Sequence, residues 1–126
     1  MSMRKNWFAM AAIASAALIT GCGDGTPTQT DGEKQYKIHC LSCHATGATG
    51  GIGPNITFST TAGIGSWTQA ELVTLVRTGI DKAGMKTCDT MTRFSATQLP
   101  DDKIALIYAY LKTLKNDTVN KGASCP

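Results

Sequence analysis

Cys40-Leu41-Ser42-Cys43-His44 sets two thiols three positions apart, with an imidazole directly after the second. Three chemistries use a Cys-x-x-Cys: structural zinc, thiol–disulfide exchange and covalent haem attachment. Zinc needs four ligands, usually as two short-spaced pairs. Here Cys88 and Cys125 are isolated and far apart, and His39 and His44 crowd the first pair. A thioredoxin-like dithiol opens a helix near a βαβ unit, whereas this motif follows a helical segment and precedes a Gly-rich loop. Two thiols separated by two residues can each bond one vinyl group of a haem, and the adjacent histidine then aims its imidazole at the iron. Every part of the motif fits that third chemistry. His39, on the other side of Cys40, points away from the direction of His44 and is expected to face solvent.

The surrounding chain suits this chemistry. Arg4 and Lys5 precede an apolar run over residues 7–19, followed by Thr20, Gly21 and Cys22. A bilayer-spanning helix needs roughly 20 apolar residues, so the run is too short and reads as a secretory signal. Residues 18–22, "LITGC", are similar to the bacterial lipoprotein signal, with Cys22 as the lipidated first residue. The other reading is ordinary cleavage after residues 14–16, "ASA". On either reading the domain is exported, on the periplasmic side of the envelope. Removing residues 1–21 takes away two of the 12 basic residues and none of the 9 acidic ones, leaving 10 against 9, or +1. No Lys/Arg stripe interleaved with aromatics occurs, so no nucleic-acid partner is expected. Export implies an oxidising compartment, where free thiols tend to pair. The five cysteines divide without remainder if Cys22 carries lipid, Cys40 and Cys43 serve the motif, and Cys88 pairs with Cys125.

The elements that must position the motif follow from periodicity and capping signals. Residues 22–31 form a polar Gly/Thr/Pro/Asp tether after the signal at 1–21, and residues 32–126 form the domain. A first helix is predicted from Asp31, as N-cap, into the cysteine motif. A second starts at Thr68, with Glu71 at capping-box spacing and Trp67 and Leu72 as a hydrophobic staple. Leu72, Leu75 and Val76 form its apolar face and Gly79 stops it. A third runs from about Asp101 to Lys115, with Pro100 suited to its first turn and Ile104, Ile107, Tyr108, Leu111 and Leu114 on one face. No hairpin pair is visible, so the class is all-α: three main helices and long loops. Residues 45–66 form an irregular stretch too long for a compact domain unless something orders it, and a large planar cofactor would do so.

In this order and spacing the segments resemble the bacterial class I, single-haem cytochromes c over nearly all of residues 32–115. Those segments are Gly32 and Tyr36, "CLSCH", "GIGPNIT", "GIGSW", the methionine-rich "GMKTCDTMTRF" and the closing "DDKIALIYAYLKTL". The resemblance implies one covalently attached haem c. His44 would be the proximal iron ligand, oriented by the backbone carbonyl of Pro54. Met85 and Met91 are the candidates for the second axial ligand. The family's "Met-Pro-x-Phe" frame falls on Met91-Thr92-Arg93-Phe94, with Thr92 in place of the proline, so Met91 is favoured and Met85 becomes core filler. Trp67 would donate its indole N–H to a haem propionate. Gly32 and Tyr36 would pack against Ile107 and Tyr110 where the first and last helices cross.

With His/Met iron there is no open coordination site, and thioether ligation raises the potential. The expected function is a monomeric one-electron carrier, not an enzyme, tethered by lipid to the membrane and meeting redox proteins briefly. The alternatives are a haem subunit of a larger dehydrogenase or oxidase complex, and a haem enzyme or gas sensor with a labile sixth ligand.

Overall fold

The computed structural model describes residues 29–123. Four α-helices follow one another: α1 (Gln29–His39), α2 (Leu41–His44), α3 (Gln69–Thr78) and α4 (Asp101–Leu111). A 3-10 turn at Thr46–Ala48 follows α2. Among the described residues there is no strand, only an isolated antiparallel bridge between Ile80 and Lys86. The class is all-α, as expected. The cysteine motif, expected to lie where the chain turns back, forms a one-turn helix of its own. No helix among the described residues is long and apolar enough to cross a membrane. The signal and most of the tether, with Cys22, and the tail cysteine Cys125 lie outside the described residues.

α1 begins at Gln29, two residues before the expected start, so Asp31 sits inside the first turn instead of capping it. An acidic side chain there still complements the positive end of the helix dipole. α1 crosses α4 in the most extensive helix–helix contact of the fold. The crossing is close because Gly32 has no side chain: a Cβ there would run into the Leu106 carbonyl oxygen and come within 2.8 Å of Tyr110 Cβ. Tyr36 stacks at a tilt on Tyr110, with ring centroids 5.5 Å apart. The nearest neighbours of Gly32 are the Leu106 backbone and Tyr110.

α3 matches its expected bounds. Thr68 Oγ1 accepts from the Glu71 backbone N–H at 3.2 Å, and the Glu71 carboxylate accepts from the Thr68 N–H at 2.7 Å, closing the capping box. Gly79 ends the helix in the left-handed region, with φ 73°. α4 stops at Leu111, short of the expected Lys115, and Pro100 precedes its first turn as the N-cap. The backbone tightens to i→i+3 bonds at Thr113 and Leu114, and the Leu114 carbonyl then accepts from Phe58 N–H at 2.7 Å. A long-range bond thus replaces the last helical turn. Tyr36, Leu72, Leu75, Val76, Leu99, Ile104, Ile107, Tyr110 and Leu111 make up most of the core between these helices.

Candidate functional site

α2 carries Cys43 and His44, and Cys40 is its N-cap. Cys40 and Cys43 are partly buried and form no disulfide. Burial, with Cys43 nearby, pushes the Cys40 thiol up to about 12. His44 is only 7% exposed. Its Nδ1 lies 2.8 Å from the Pro54 carbonyl oxygen, to which it donates. That bond fixes the tautomer with the lone pair on Nε2, and Nε2 has no hydrogen-bond partner among the described residues. Burial holds the imidazole below its ordinary pKa, against the opposing pull of the Pro54 bond. A neutral imidazole with a free Nε2 and an anchored Nδ1 is the metal-binding form of histidine.

The loop after α2 clasps the back of the motif. Ala45 and Ala48 take positive φ values of 61° and 59°, turning the chain sharply after His44; such non-glycine conformations cost about 1–3 kcal/mol each. Tyr36 Oη donates to the Ala45 carbonyl at 2.6 Å, helping to hold that turn. Gly53 N–H donates to the Cys43 carbonyl at 2.7 Å. The imidazole lies directly against Gly53, where a Cβ would stand 2.7 Å from His44 Cε1 and 3.0 Å from Nε2.

A strap formed by residues 114–123, which the sequence places at the end of the third helix and beyond it, orders this loop. Asn55 is buried; its side-chain amide donates to the Asn116 and Thr118 carbonyls at 2.9 Å each. Its Oδ1 accepts from Thr57 N–H at 2.8 Å and Thr57 Oγ1 at 2.7 Å, so every hydrogen-bonding site of the side chain is used. Asn55 N–H reaches the Asn120 carbonyl and Ala123 N–H the Ile52 carbonyl, both at 2.8 Å. Pro54, whose carbonyl orients His44, is thus flanked by residues bonded to the strap. The adjacency of Asn55 to Pro54 was the available sequence signal, but its partners lie some sixty residues away.

The two methionines part company. Met85 tops a turn in which the Asp81 carboxylate accepts from Ala83 N–H at 2.9 Å and Met85 N–H at 2.8 Å. The turn projects into solvent and leaves Met85 65% exposed, so it is not core filler. Met91 is partly buried and packs against the same hydrophobic cluster as Cys40, Leu41, Ile56, Trp67 and Phe94. The Trp67 carbonyl accepts from Tyr108 Oη at 2.8 Å, while its indole N–H has no partner among the described residues.

Two arginines missed by sequence reasoning organise the segment around Met91. Arg77 donates to the Phe94, Ser95 and Leu99 carbonyls and pairs with Asp101, tying the segment after Met91 to α3 and α4. Arg93 donates to the Thr87, Cys88 and Met91 carbonyls. His39 is not solvent-facing as expected. It is partly buried edge-on against Phe94, ring centroids 5.5 Å apart, because this segment folds back over the end of α1.

A family profile described as cytochrome c oxidase, cbb3-type, subunit III matches residues 27–111. The chain belongs to this cytochrome c family. It is also similar to cytochrome c2 of Rhodospirillum rubrum, 30% identical over an alignment covering 90% of this chain and 100% of that one. It is therefore a class I, single-haem cytochrome c that carries covalently attached haem c with its iron, in a family of electron-transfer proteins. The residues present fit that group: two unbonded thiols three apart, a neutral histidine with a free Nε2, and a glycine whose missing side chain lets the loop close on the imidazole.

Proposed function

We propose that this cytochrome is a one-electron carrier of the cell envelope whose iron is held by His44 and Met91. The observation that carries the reading is the contrast between the methionines: Met85 is 65% exposed at a turn tip, whereas Met91 is partly buried and packs against the same core cluster that Cys40 packs against. When bound, haem c supplies iron that changes between ferric and ferrous states by one electron. The chain's own residues do the rest. Cys40 and Cys43 would hold the macrocycle through thioethers. Pro54 accepts from Nδ1 of His44, which keeps Nε2 aimed and raises its basicity. Met91 would supply the second protein ligand to the iron, and a thioether there would favour the ferrous state and leave no site for substrate. Trp67 offers its free indole N–H to a propionate.

The cell-envelope part rests on the sequence of residues 1–22 and on cysteine use. Cys22 carries lipid at the membrane, and Cys125 is the partner of Cys88. Donor and acceptor are redox proteins that bind a monomer briefly through a small interface. A second reading, a haem subunit of a larger oxidase, is favoured by the description of the matching family. Co-purification with a large partner would select it.

The test uses the ferric protein's far-red charge-transfer band, which reports His/Met ligation. Met91→Ala abolishes the band and lets carbon monoxide bind the reduced protein, while Met85→Ala preserves the band. The reverse pattern overturns the ligand assignment. A wild type without the band that takes up carbon monoxide readily overturns the carrier.

A further inference from the structure

The family's frame places a proline directly after the ligand methionine, and this chain has Thr92 there. Proline limits the backbone states of a loop before any contact forms; threonine does not. Something else must hold the segment if Met91 is to stay in place.

We propose that Arg93 is the positioning residue that fixes Met91, replacing by hydrogen bonds the stiffness that the proline would give; this rests on the reading of Met91 as axial ligand. One guanidinium gathers three carbonyls of the loop. Its Nη1 donates to the Cys88 carbonyl at 3.2 Å and to the carbonyl of Met91 itself, and its Nη2 donates to the Thr87 carbonyl at 3.2 Å. The Arg93 side chain is 25% exposed, so the bonds form in partial shelter from water. Its exposed charge partner, Asp89, stands 4.0 Å away and adds little.

The guanidinium also has a prepared seat. Gly79, the C-cap of α3 with φ 73°, is packed so closely that a Cβ there would overlap Arg93 Nε and Cζ. The same Gly79 carbonyl accepts from Thr87 N–H at 2.7 Å and from Thr87 Oγ1 at 2.9 Å. The start of the methionine loop and the group that closes it therefore share one anchor at the end of α3. Lysine could supply one charge but not the planar fork that reaches three acceptors.

The test is displacement of the Met91 thioether by imidazole in the ferric holoprotein. One Fe–S bond breaks, one Fe–N bond forms, and no electron is transferred. In Arg93→Ala the far-red band is present but is lost at an imidazole concentration roughly tenfold lower than in wild type, as expected for removal of charge-assisted bonds. Arg93→Lys falls between the two and carries the test if the alanine variant fails to mature with haem. Adding Thr92→Pro to Arg93→Ala moves the midpoint back toward wild type. Thr68→Ala, which weakens α3 through its cap, leaves the midpoint unchanged.

A wild-type midpoint in Arg93→Ala overturns the proposal, as does an equal shift in Thr68→Ala, which would reduce Arg93 to general stability. Failure of proline to restore any tightness overturns it too. Retention of the band in Met91→Ala is a separate result, and it removes the ligand reading itself.

Discussion

The residue that governs the geometry of His44 most directly is a glycine that makes no bond through a side chain. Gly53 needs space and not an unusual backbone: a Cβ would stand 2.7 Å from Cε1 and 2.9 Å from Nδ1 of His44. Gly53→Ala must tilt the ring or push back the Pro54 carbonyl, and either change spoils the 2.8 Å bond at Nδ1. A weaker bond there makes the imidazole a poorer donor, which favours ferrous iron. The midpoint potential of the variant is expected to rise by roughly 20–60 mV, since 59 mV is a tenfold change for one electron. Potentiometric titration of the holoprotein measures it, and an unchanged or lowered potential would refute the argument. Cys40, Cys43 and His44 were legible because their spacing is itself the chemistry. Gly53 was legible only as a loop glycine, because its meaning lies in a ring packed across from it. Arg93 stood in plain view within the methionine frame, but its acceptors are backbone carbonyls, which no residue type advertises.

Elements whose limits are set by neighbouring residues could be read from the chain, and those limited by distant ones could not. α3 begins and ends where Thr68, Glu71 and Gly79 dictate, all within its own length. α4 ends early because Phe58 takes the Leu114 carbonyl, and the strap beyond it is held almost wholly by residues 50–61. Asp117 is one of its fastenings: its carboxylate accepts from Ser59 Oγ at 2.5 Å and Thr61 Oγ1 at 3.2 Å. Those bonds, Ser59's first, hold the Asp117 carboxyl below the usual carboxylate range. A depressed folded pKa contributes stability that is complete above the unfolded value and disappears as pH falls through the folded one. Wild type is therefore more stable than Asp117→Asn at neutral pH, and the gap narrows as the solution is acidified to about pH 3, below the ordinary Asp value. Urea midpoints of both proteins across that range test the point. A gap that stays constant with pH would show that the charge on Asp117 does not fasten the strap.

At the scale of the whole molecule, regular structure is scarce beside what must be held. Two main helix contacts, α1 with α4 and α3 with α4, carry the core, while residues 45–67 and 112–123 depend on long-range hydrogen bonds. A domain of this size buries a smaller share of its chain's surface than a larger one does. Covalent links are the natural supplement, and the proposed use of five cysteines supplies them without leaving a thiol over. Cys40, the N-cap of α2, and Cys43 within it would bind the haem to that helix. A bridge from Cys88 to Cys125 ties the end of the strap to the methionine loop, and closing such a loop contributes about 2–4 kcal/mol. The intact mass of the mature protein reads all of this together. It should equal the chain from Cys22 to Pro126 with one haem and the lipid added and two hydrogens removed. Unreduced, denatured protein should take up no alkylating agent; after reduction it should take up two equivalents, at Cys88 and Cys125. Uptake before reduction would break the proposed Cys88–Cys125 pairing. A mass lacking the haem would break the assignment of Cys40 and Cys43. A chain that begins elsewhere than Cys22, without lipid, would detach the carrier from the membrane and leave the haem site as argued.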